Sequence, residues 1–468
     1  MSERFDLVVL GSGPAGEKGA AQAAYVGKRV AVVDIGPNPG GAAVRLAVIP
    51  SKTLRETAQY LTGFRRRNVY GVSLSLDPGA ALARLMARKA MVVETMTEAV
   101  RRNFERHGVE FVVGTPTVEP GPAVKVANTD GDRVLEASAV LVATGARPYH
   151  PPDVPFEDPD VHDSEGILTI DRIPGSIVVV GGGVIGCEYA SVFAALGADV
   201  TLVHAGPRIL PFADQEISES LAMTFESFGM SVATGTRADS IERRDGALTV
   251  NLAGGRSIAA EKVLFSLGQV GNTEGLGLEA LGVDVDDRGR VLVDEHYRST
   301  VDGIYAAGDV IGPPALASVS MEQGRVAMCH AFDIPFKAYV DPLAPMGIYT
   351  IPEVAMVGLT ESDARERGLD IETGRGQFEA NPRAQITGMT DGLIKLVFRR
   401  SDRVIVGAHI LGEIATELIH IGQAAIADEH PIDRFIDVTF NVPTRADAFK
   451  YAAYDGLQRH GAAIPEGN

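Results

Sequence analysis

Asp6-Leu7-Val8-Val9-Leu10-Gly11-Ser12-Gly13-Pro14-Ala15-Gly16 is an apolar run that ends in three spaced glycines, and the small residues Ala20-Ala21 and Ala23-Ala24 follow it. Such a run reads as a buried strand, a tight turn and a closely packed helix. A second apolar run, Val30-Ala31-Val32-Val33, comes about twenty residues further on and completes a βαβ unit. The same grammar recurs at Ile177-Val178-Val179-Val180 with Gly181, Gly183 and Gly186, then Glu188-Tyr189-Ala190 and the strand Val200-Thr201-Leu202-Val203. One glycine-rich turn is weak evidence, since chain reversal alone also uses glycine. Two copies, each between a strand and a helix, point to two dinucleotides held at once.

The physical roles are the same in both copies. The first glycine permits the turn, the second lets backbone approach a pyrophosphate, and the third lets the helix close on the strand. The helix N-terminus then offers unpaired N–H groups to the phosphates. The residue ending the second strand differs. Asp34 is an acceptor suited to a ribose 2′-hydroxyl, whereas the second copy has His204 with Arg208 close behind. The missing carboxylate permits a 2′-phosphate without demanding one, and His204 serves equally well as a strand-end residue facing water.

The chain has 468 residues, enough for about three domains. With 45% hydrophobic and 22% charged residues, wholesale disorder is excluded. A net charge of −18 makes nucleic acid and anionic membrane poor partners. Cys187 and Cys329 are the only two cysteines, too few and too far apart for a disulfide framework, a cysteine-rich zinc cluster or a CxxC pair. No metal site is expected. Leu7 to Leu10 is too short for a signal-peptide core, and no apolar run approaches the ~18 residues of a membrane span, so a cytoplasmic protein is expected.

Past Glu279, Val291-Leu292-Val293-Asp294 and Gly303-Ile304-Tyr305-Ala306-Ala307-Gly308-Asp309 read as short strands, the second ending in a carboxylate where α/β folds bind ligands. After about residue 340, the β-like runs Leu396-Val397-Phe398 and Val404-Ile405-Val406 precede a helical stretch from Ile414 to Ile419. That block has no phosphate loop and reads as a packing or association module.

The order of parts resembles the two-dinucleotide flavoprotein disulfide reductase family, which includes lipoamide dehydrogenase and glutathione reductase. The match is carried by Gly11 to Gly16, Pro50-Ser51-Lys52, Val142-Ala143-Thr144-Gly145-Ala146-Arg147-Pro148 and Tyr305-Ala306-Ala307-Gly308-Asp309-Val310. The family's redox disulfide lies in a GGxCxxxxCxPSK segment, and here Ala43 and Val48 stand at the two cysteine positions. Cys187 and Cys329 cannot substitute from their places in sequence and read as buried small hydrophobes. The family's His-Pro pair, which provides a general base, is replaced by Val442-Pro443 within Asn441-Val442-Pro443-Thr444, while Asp447 keeps the orienting carboxylate. Dithiol chemistry is therefore excluded.

The soluble pyridine nucleotide transhydrogenases are the branch this chain resembles most. They share the Asn-x-Pro-Thr segment, and the likeness continues through Asp214 to Ser218, Gly271 to Thr273, Met346 to Glu353, Arg383 to Ile386 and Ile419 to Ala424. Two departures stand out: the branch often keeps the first cysteine, here Ala43, and has a basic residue where this chain has Gly206.

The resemblance implies an α/β fold of two Rossmann-like dinucleotide-binding domains plus a C-terminal α+β dimerisation domain, glutathione reductase-like. It places an FAD-binding domain at 1–149 and 271–340, an NAD(P)-binding domain at 150–270 and an interface domain at 341–468. It implies FAD as cofactor, NAD(H) and NADP(H) as substrates, and a homodimer or higher homo-oligomer. The implied activity is an NAD(P)+ transhydrogenase of the Si-specific type, passing hydride between NADPH and NAD+ through the flavin in ping-pong fashion. Lys52 and Glu188 are implied as a charge pair beside flavin N5. Gly11, Gly13, Gly16, Asp34, Gly41, Thr144, Gly145, Gly308, Asp309 and Ala317, which begins a helix facing the flavin, are implied for FAD. Gly181, Gly183, Gly186, Glu188, His204, Arg208 and Gly268 are implied for NAD(P). A flavin-dependent NAD(P)H:quinone reductase and a non-catalytic dinucleotide-binding relative are the rival readings. His420 reads as a core or interface histidine, Met346 and Tyr349 as packing, and Arg65-Arg66-Arg67 as a solvated helix end.

Overall fold

The computed structural model describes residues 2–63, 71, 77–121, 123–129, 131–244 and 246–461. It divides into two compact units, Met1–Thr53 with Met86–Tyr149 and Gly268–Asp341, and Leu54–Leu85 with His150–Leu267 and Pro342–Asn468. The Arg65 to Arg67 run lies outside the described residues.

In the first unit a five-stranded parallel sheet runs in the order Ile304–Ala306, Ala139–Val142, Leu7–Leu10, Val30–Asp34, Glu110–Val113. Its central strands are buried along their whole length, which is why they read as unbroken apolar runs rather than alternating ones. The Pro14–Tyr25 helix starts directly after the first strand, with Pro14 in its first turn where a missing N–H costs nothing. It packs on the Ala317–Ala331 helix so closely that a Cβ on Gly324 would lie 2.2 Å from the Ala15 carbonyl oxygen. A four-stranded sheet of Ser2–Arg4, Arg133–Glu136, Ala123–Ala127 and Thr115–Glu119 completes this unit.

The second unit repeats the plan. Its parallel sheet has the order Val161–His162, Lys262–Phe265, Ser176–Val180, Asp199–His204, Ser231–Thr234, with the Val184–Ala195 helix following the central strand. The C-terminal block is a five-stranded antiparallel sheet, Met346–Ile348, Glu353–Gly358, Ile405–Gly412, Leu393–Arg399, Ile371–Gln377. Phe378, Phe398 and Phe449 fill the core beneath the Ala415–Ala427 and Ala448–His460 helices.

A buried charge, Lys395 at 2% exposed, interrupts the apolar run of the Leu393–Arg399 strand. Its Nζ donates to both Asp214 carboxylate oxygens, at 2.9 and 3.0 Å, and to Glu361 at 2.8 Å. Burial alone would push this ammonium towards neutrality, but the carboxylates of Asp214 and Glu361 outweigh it and hold its pKa above the ordinary lysine value. Asp214 also caps the Gln215–Ser227 helix through Glu216 N–H, so this helix start is bonded to the C-terminal sheet.

One sequence expectation is corrected and another is narrowed. Val291 forms only an isolated bridge with Val285, and Leu292 to Asp294 are irregular. The cause is Asp294, whose Oδ1 accepts the N–H groups of His296 and Arg298, a side-chain turn that competes with strand pairing. His420 is exposed on the single chain rather than in its core, so of the core and interface readings only the interface one is retained, and its ring is bonded to Gln423 at 2.9 Å. Cys187 and Cys329 are buried and unpaired, and burial pushes the Cys187 thiol pKa far up, which suits an inert core residue.

Candidate functional site

The two glycine loops are sterically equivalent. A Cβ on Gly16 would stand 2.0 Å from the Gly11 carbonyl oxygen, and one on Gly186 would stand 1.8 Å from that of Gly181. The middle glycines are the opposite case. A Cβ on Gly13 would meet only Gly41 Cα, at 3.8 Å, and one on Gly183 would meet nothing within 4 Å. The third glycine is closed against its own loop while the second faces open space, which is the division of labour that pyrophosphate binding needs.

At the first loop Asp34 is 7% exposed and committed to the backbone. Its Oδ2 accepts the Ser12 N–H at 3.0 Å and the Ser12 hydroxyl at 2.5 Å, and its Oδ1 accepts the Gly36 N–H at 3.2 Å. Ser12 Oγ in turn receives the Gly40 N–H at 3.0 Å, and a Cβ on Gly41 would lie 2.6 Å from Gly13 Cα, so the 40–41 turn is laid directly on the loop. Arg45 stands 4.0 Å from the Asp34 carboxylate, with its Nε buried and without a partner among the described residues.

The rest of this unit's predicted residues gather at the same sheet end. Thr144 Oγ donates to the Asn272 carbonyl at 2.7 Å, and the Asn272 side chain and backbone donate to the Thr144 and Gly145 carbonyls. Those bonds fasten the point where the chain leaves and re-enters the unit. Gly308 N–H donates to Gln323 at 2.8 Å. Asp309 follows the Ile304–Ala306 strand, and among the described residues its side chain has one weak partner, Ser320 Oγ at 3.4 Å. Burial raises its pKa, which the Ser320 hydroxyl only partly offsets. Ala317 is the first residue of its helix and Lys52 lies within the Val48–Thr62 helix. An open glycine cradle, an under-satisfied Asp309 and an orphaned Arg45 Nε fit a bound FAD.

In the second unit Glu188 Oε1 accepts the Tyr349 N–H at 2.8 Å, and Ser191 Oγ accepts the Ile351 N–H at 3.1 Å. Arg55 donates to the intervening Thr350 carbonyl at 3.1 Å and pairs with Glu353 at 3.1 Å. Three consecutive residues of the 349–351 segment are therefore gripped by their backbone, one of them by Glu188. The sequence reads Tyr349 as packing and gives no sign of Arg55 or Ser191, because side-chain bonds to backbone N–H and C=O groups leave no mark in a motif. Gly268 falls in the first unit, where its carbonyl accepts the Tyr149 N–H. His204 Nδ1 accepts the Gly182 N–H at 3.2 Å, and burial lowers its pKa. Arg208 is folded onto its own loop, its NH2 group donating to the Pro211 carbonyl at 2.6 Å and the Ala213 carbonyl at 3.5 Å.

A model of the pyridine nucleotide-disulphide oxidoreductases matches residues 5–324, and the dimerisation domain of the same group matches residues 344–453. The chain belongs to this family. Among curated pyridine nucleotide-disulphide oxidoreductases, the soluble pyridine nucleotide transhydrogenase of Mycobacterium tuberculosis is 40% identical over 463 residues, covering 97% of each chain. That of Pseudomonas putida is 38% identical, covering 97% of this chain and 98% of the relative. Among solved structures, LpdA from Mycobacterium tuberculosis superposes with a TM-score of 0.87 at 30% identity, covering 96% of this chain and 99% of its own. The Cu(II) complex of the HOCl-induced flavoprotein disulfide reductase RclA from Escherichia coli gives 0.87 at 26% identity, covering 97% and 99%. The oxidoreductase fold expected from the sequence is thus the fold observed.

Proposed function

We propose that this chain transfers hydride between NADPH and NAD+ through bound FAD, as an NAD(P)+ transhydrogenase without a dithiol relay. It is a flavin oxidoreductase with FAD as cofactor and nicotinamide nucleotides as substrates, and it assembles as a homo-oligomer through its C-terminal domain. The observation that carries the reading is a selective loss. Both glycine loops and Pro50-Ser51-Lys52 are intact, while Ala43, Val48 and Val442 stand where thiol chemistry needs two cysteines and a base.

When bound, FAD supplies the hydride-accepting and hydride-donating chemistry, and the protein supplies binding and orientation. Gly13 and the N-terminus of the Pro14–Tyr25 helix take the FAD pyrophosphate, Asp34 the adenosine ribose and Asp309 the ribityl chain. Gly183 and the Val184–Ala195 helix take the nicotinamide nucleotide. Lys52 and Glu188 keep the roles that the family resemblance gives them. We further assign 1–149 with 271–340 to FAD, 150–270 to NAD(P) and 341–468 to the interface. Among the described residues no helix is long and apolar enough to cross a membrane, and the compartment we propose is the cytoplasm.

Anaerobic stopped-flow tests the reading. The holoenzyme is mixed with NADPH, then with excess thio-NAD+, while flavin and thionicotinamide absorbance are followed. Rapid bleaching followed by rapid reoxidation is expected. Bleaching relieved by a quinone but not by thio-NAD+ would assign a quinone reductase, and no bleaching by NADPH or NADH would leave a nucleotide-binding protein.

A further inference from the structure

Between the strand that ends at His204 and the Gln215–Ser227 helix, the 205–214 loop lies against the second glycine loop. Its point of contact is Leu210, fully buried, whose N–H donates to the Gly182 carbonyl at 2.7 Å. Leu210 takes a φ of +42°, in the left-handed region that a bulky side chain disfavours. Such a conformation persists only where its surroundings over-determine it.

Part of that restraint is local: Ser218 Oγ donates to the Ile209 carbonyl at 2.6 Å, and the Arg208 NH2 group donates to the Pro211 carbonyl at 2.6 Å. The rest comes from the C-terminal sheet. Asp214, 1% exposed, ends the loop, and both its carboxylate oxygens accept from Lys395 Nζ while Oδ2 also accepts the Glu361 N–H at 3.3 Å. Lys395 also stands 3.2 Å from Glu216, Arg375 pairs with Glu216 at 2.7 Å, and Arg365 pairs with Glu361 at 2.7 Å. Every charge in this cluster faces an opposite one, so it is a joint and not a ligand site. A buried ion pair adds little net stability over apolar residues of the same volume, since both ions lose their hydration. What it adds is direction, because the ammonium must stand where it meets all its carboxylates at once.

Resting on the assignment of the second glycine loop to the nicotinamide nucleotide, we infer that Lys395 is a positioning residue for that nucleotide. From the C-terminal sheet it fixes Asp214 and, through the 205–214 loop, holds Leu210 N–H on the Gly182 carbonyl. That carbonyl shares a rigid peptide plane with the Gly183 N–H, so fixing one aims the other. The donors at the start of the Val184–Ala195 helix are thereby set for the pyrophosphate before the nucleotide arrives. Because the phosphate loop is what is held, NAD(H) and NADP(H) depend on Lys395 alike. The C-terminal block, which carries no glycine loop of its own, thus takes part in nucleotide binding.

Two variants of the FAD-loaded protein test this. Lys395→Met strands the buried Asp214 carboxylate and should lose stability, so it is compared with the double variant Asp214→Ser, Lys395→Met, which keeps a helix-capping oxygen and buries no lone charge there. The double variant should keep its FAD and melt within about 5 °C of wild type. It should nevertheless bind ADP-ribose about tenfold more weakly by calorimetry. Flavin bleaching should need about tenfold more NADPH, and about tenfold more NADH, for half-saturation, with the limiting rate unchanged. In nucleotide-free protein the amides of the 205–214 loop should lose hydrogen-exchange protection by about tenfold. Unchanged ADP-ribose affinity in the double variant would overturn the inference and leave Lys395 a support of the fold. Loss of FAD together with ADP-ribose, or failure of the double variant to fold, would also overturn it, because Lys395 would then serve the whole protein and not this site. Failure of the functional reading is separate: it appears in wild type, as flavin that neither NADPH nor NADH bleaches.

Discussion

The two glycine loops have the same three-glycine geometry and parallel strands on either side, yet their strand ends are finished differently. In the first, Asp34 spends both carboxylate oxygens on the Ser12 and Gly36 donors, so the loop is locked from within. In the second, glycine stands where the first has Ser12, and His204 gives one ring nitrogen to the loop while the other has no partner among the described residues. The first arrangement suits a group that stays, and the second suits nucleotides that come and go. A shared fold fixes where a dinucleotide lies, while the residue ending the second strand decides how firmly and with what selectivity it is held.

The largest effect should come from closing either loop. Gly186→Ala puts a methyl group against the Gly181 carbonyl and should abolish nicotinamide-driven bleaching, at least a thousandfold at subsaturating NADPH, while FAD content stays normal. Gly16→Ala should do the reverse, giving protein purified without its yellow colour. If either change removed both groups, the loops would not be independent and the comparison would break.

Asp34→Ala comes next. It strands the Ser12 and Gly36 donors, and thermal unfolding should show a loss of about 3 kcal/mol with a fall in retained FAD. His204→Ala strands one donor and should cost about 1 kcal/mol by the same assay. Equal losses would erase the distinction between a locked and an open loop.

Gly206→Arg tests how tightly the His204 ring is packed against its loop. Alone it should destabilise the protein by about 1–3 kcal/mol, because the new Cβ meets His204 Nε2. Combined with His204→Ser most of that loss should disappear, leaving a coupling of about 1 kcal/mol in a double-mutant cycle.

The smallest effect is pH dependence. Burial lowers the His204 pKa below the usual histidine value, so the ring is neutral at pH 7 and above and adenosine 5′-phosphate affinity should be flat there. As pH falls through that lowered pKa, Nδ1 takes a proton and can no longer accept the Gly182 N–H. Calorimetry should then show binding weakened by a few-fold as the ring takes its proton, and no such fall in His204→Asn. The same shift works on stability: the unfolded chain binds the proton first, so the contribution is constant above the unfolded pKa and is lost as pH drops below it.

Most of the fold was legible because its deciding features are local. A strand, three spaced glycines and a helix follow one another directly between Leu7 and Tyr25, and the apolar runs are continuous because both faces of each parallel sheet are covered. Ser12 hydroxyl on Asp34, Tyr349 N–H on Glu188 and Lys395 on Asp214 were not legible, since their partners are separated by 22, 161 and 181 residues. The misread run at Val291 to Asp294 failed locally for a different reason: Asp294 ties two following N–H groups to its side chain, and apolar alternation alone does not reveal that.

The most direct test of a hydride relay without thiols is an anaerobic reductive titration of the holoenzyme, counting equivalents of dithionite per FAD. With Ala43 and Val48 in place of the cysteine pair, the flavin should bleach fully with a single two-electron equivalent and no long-wavelength charge-transfer band. Uptake of a second two-electron equivalent, or the appearance of that band, would reveal a redox-active dithiol and contradict the account.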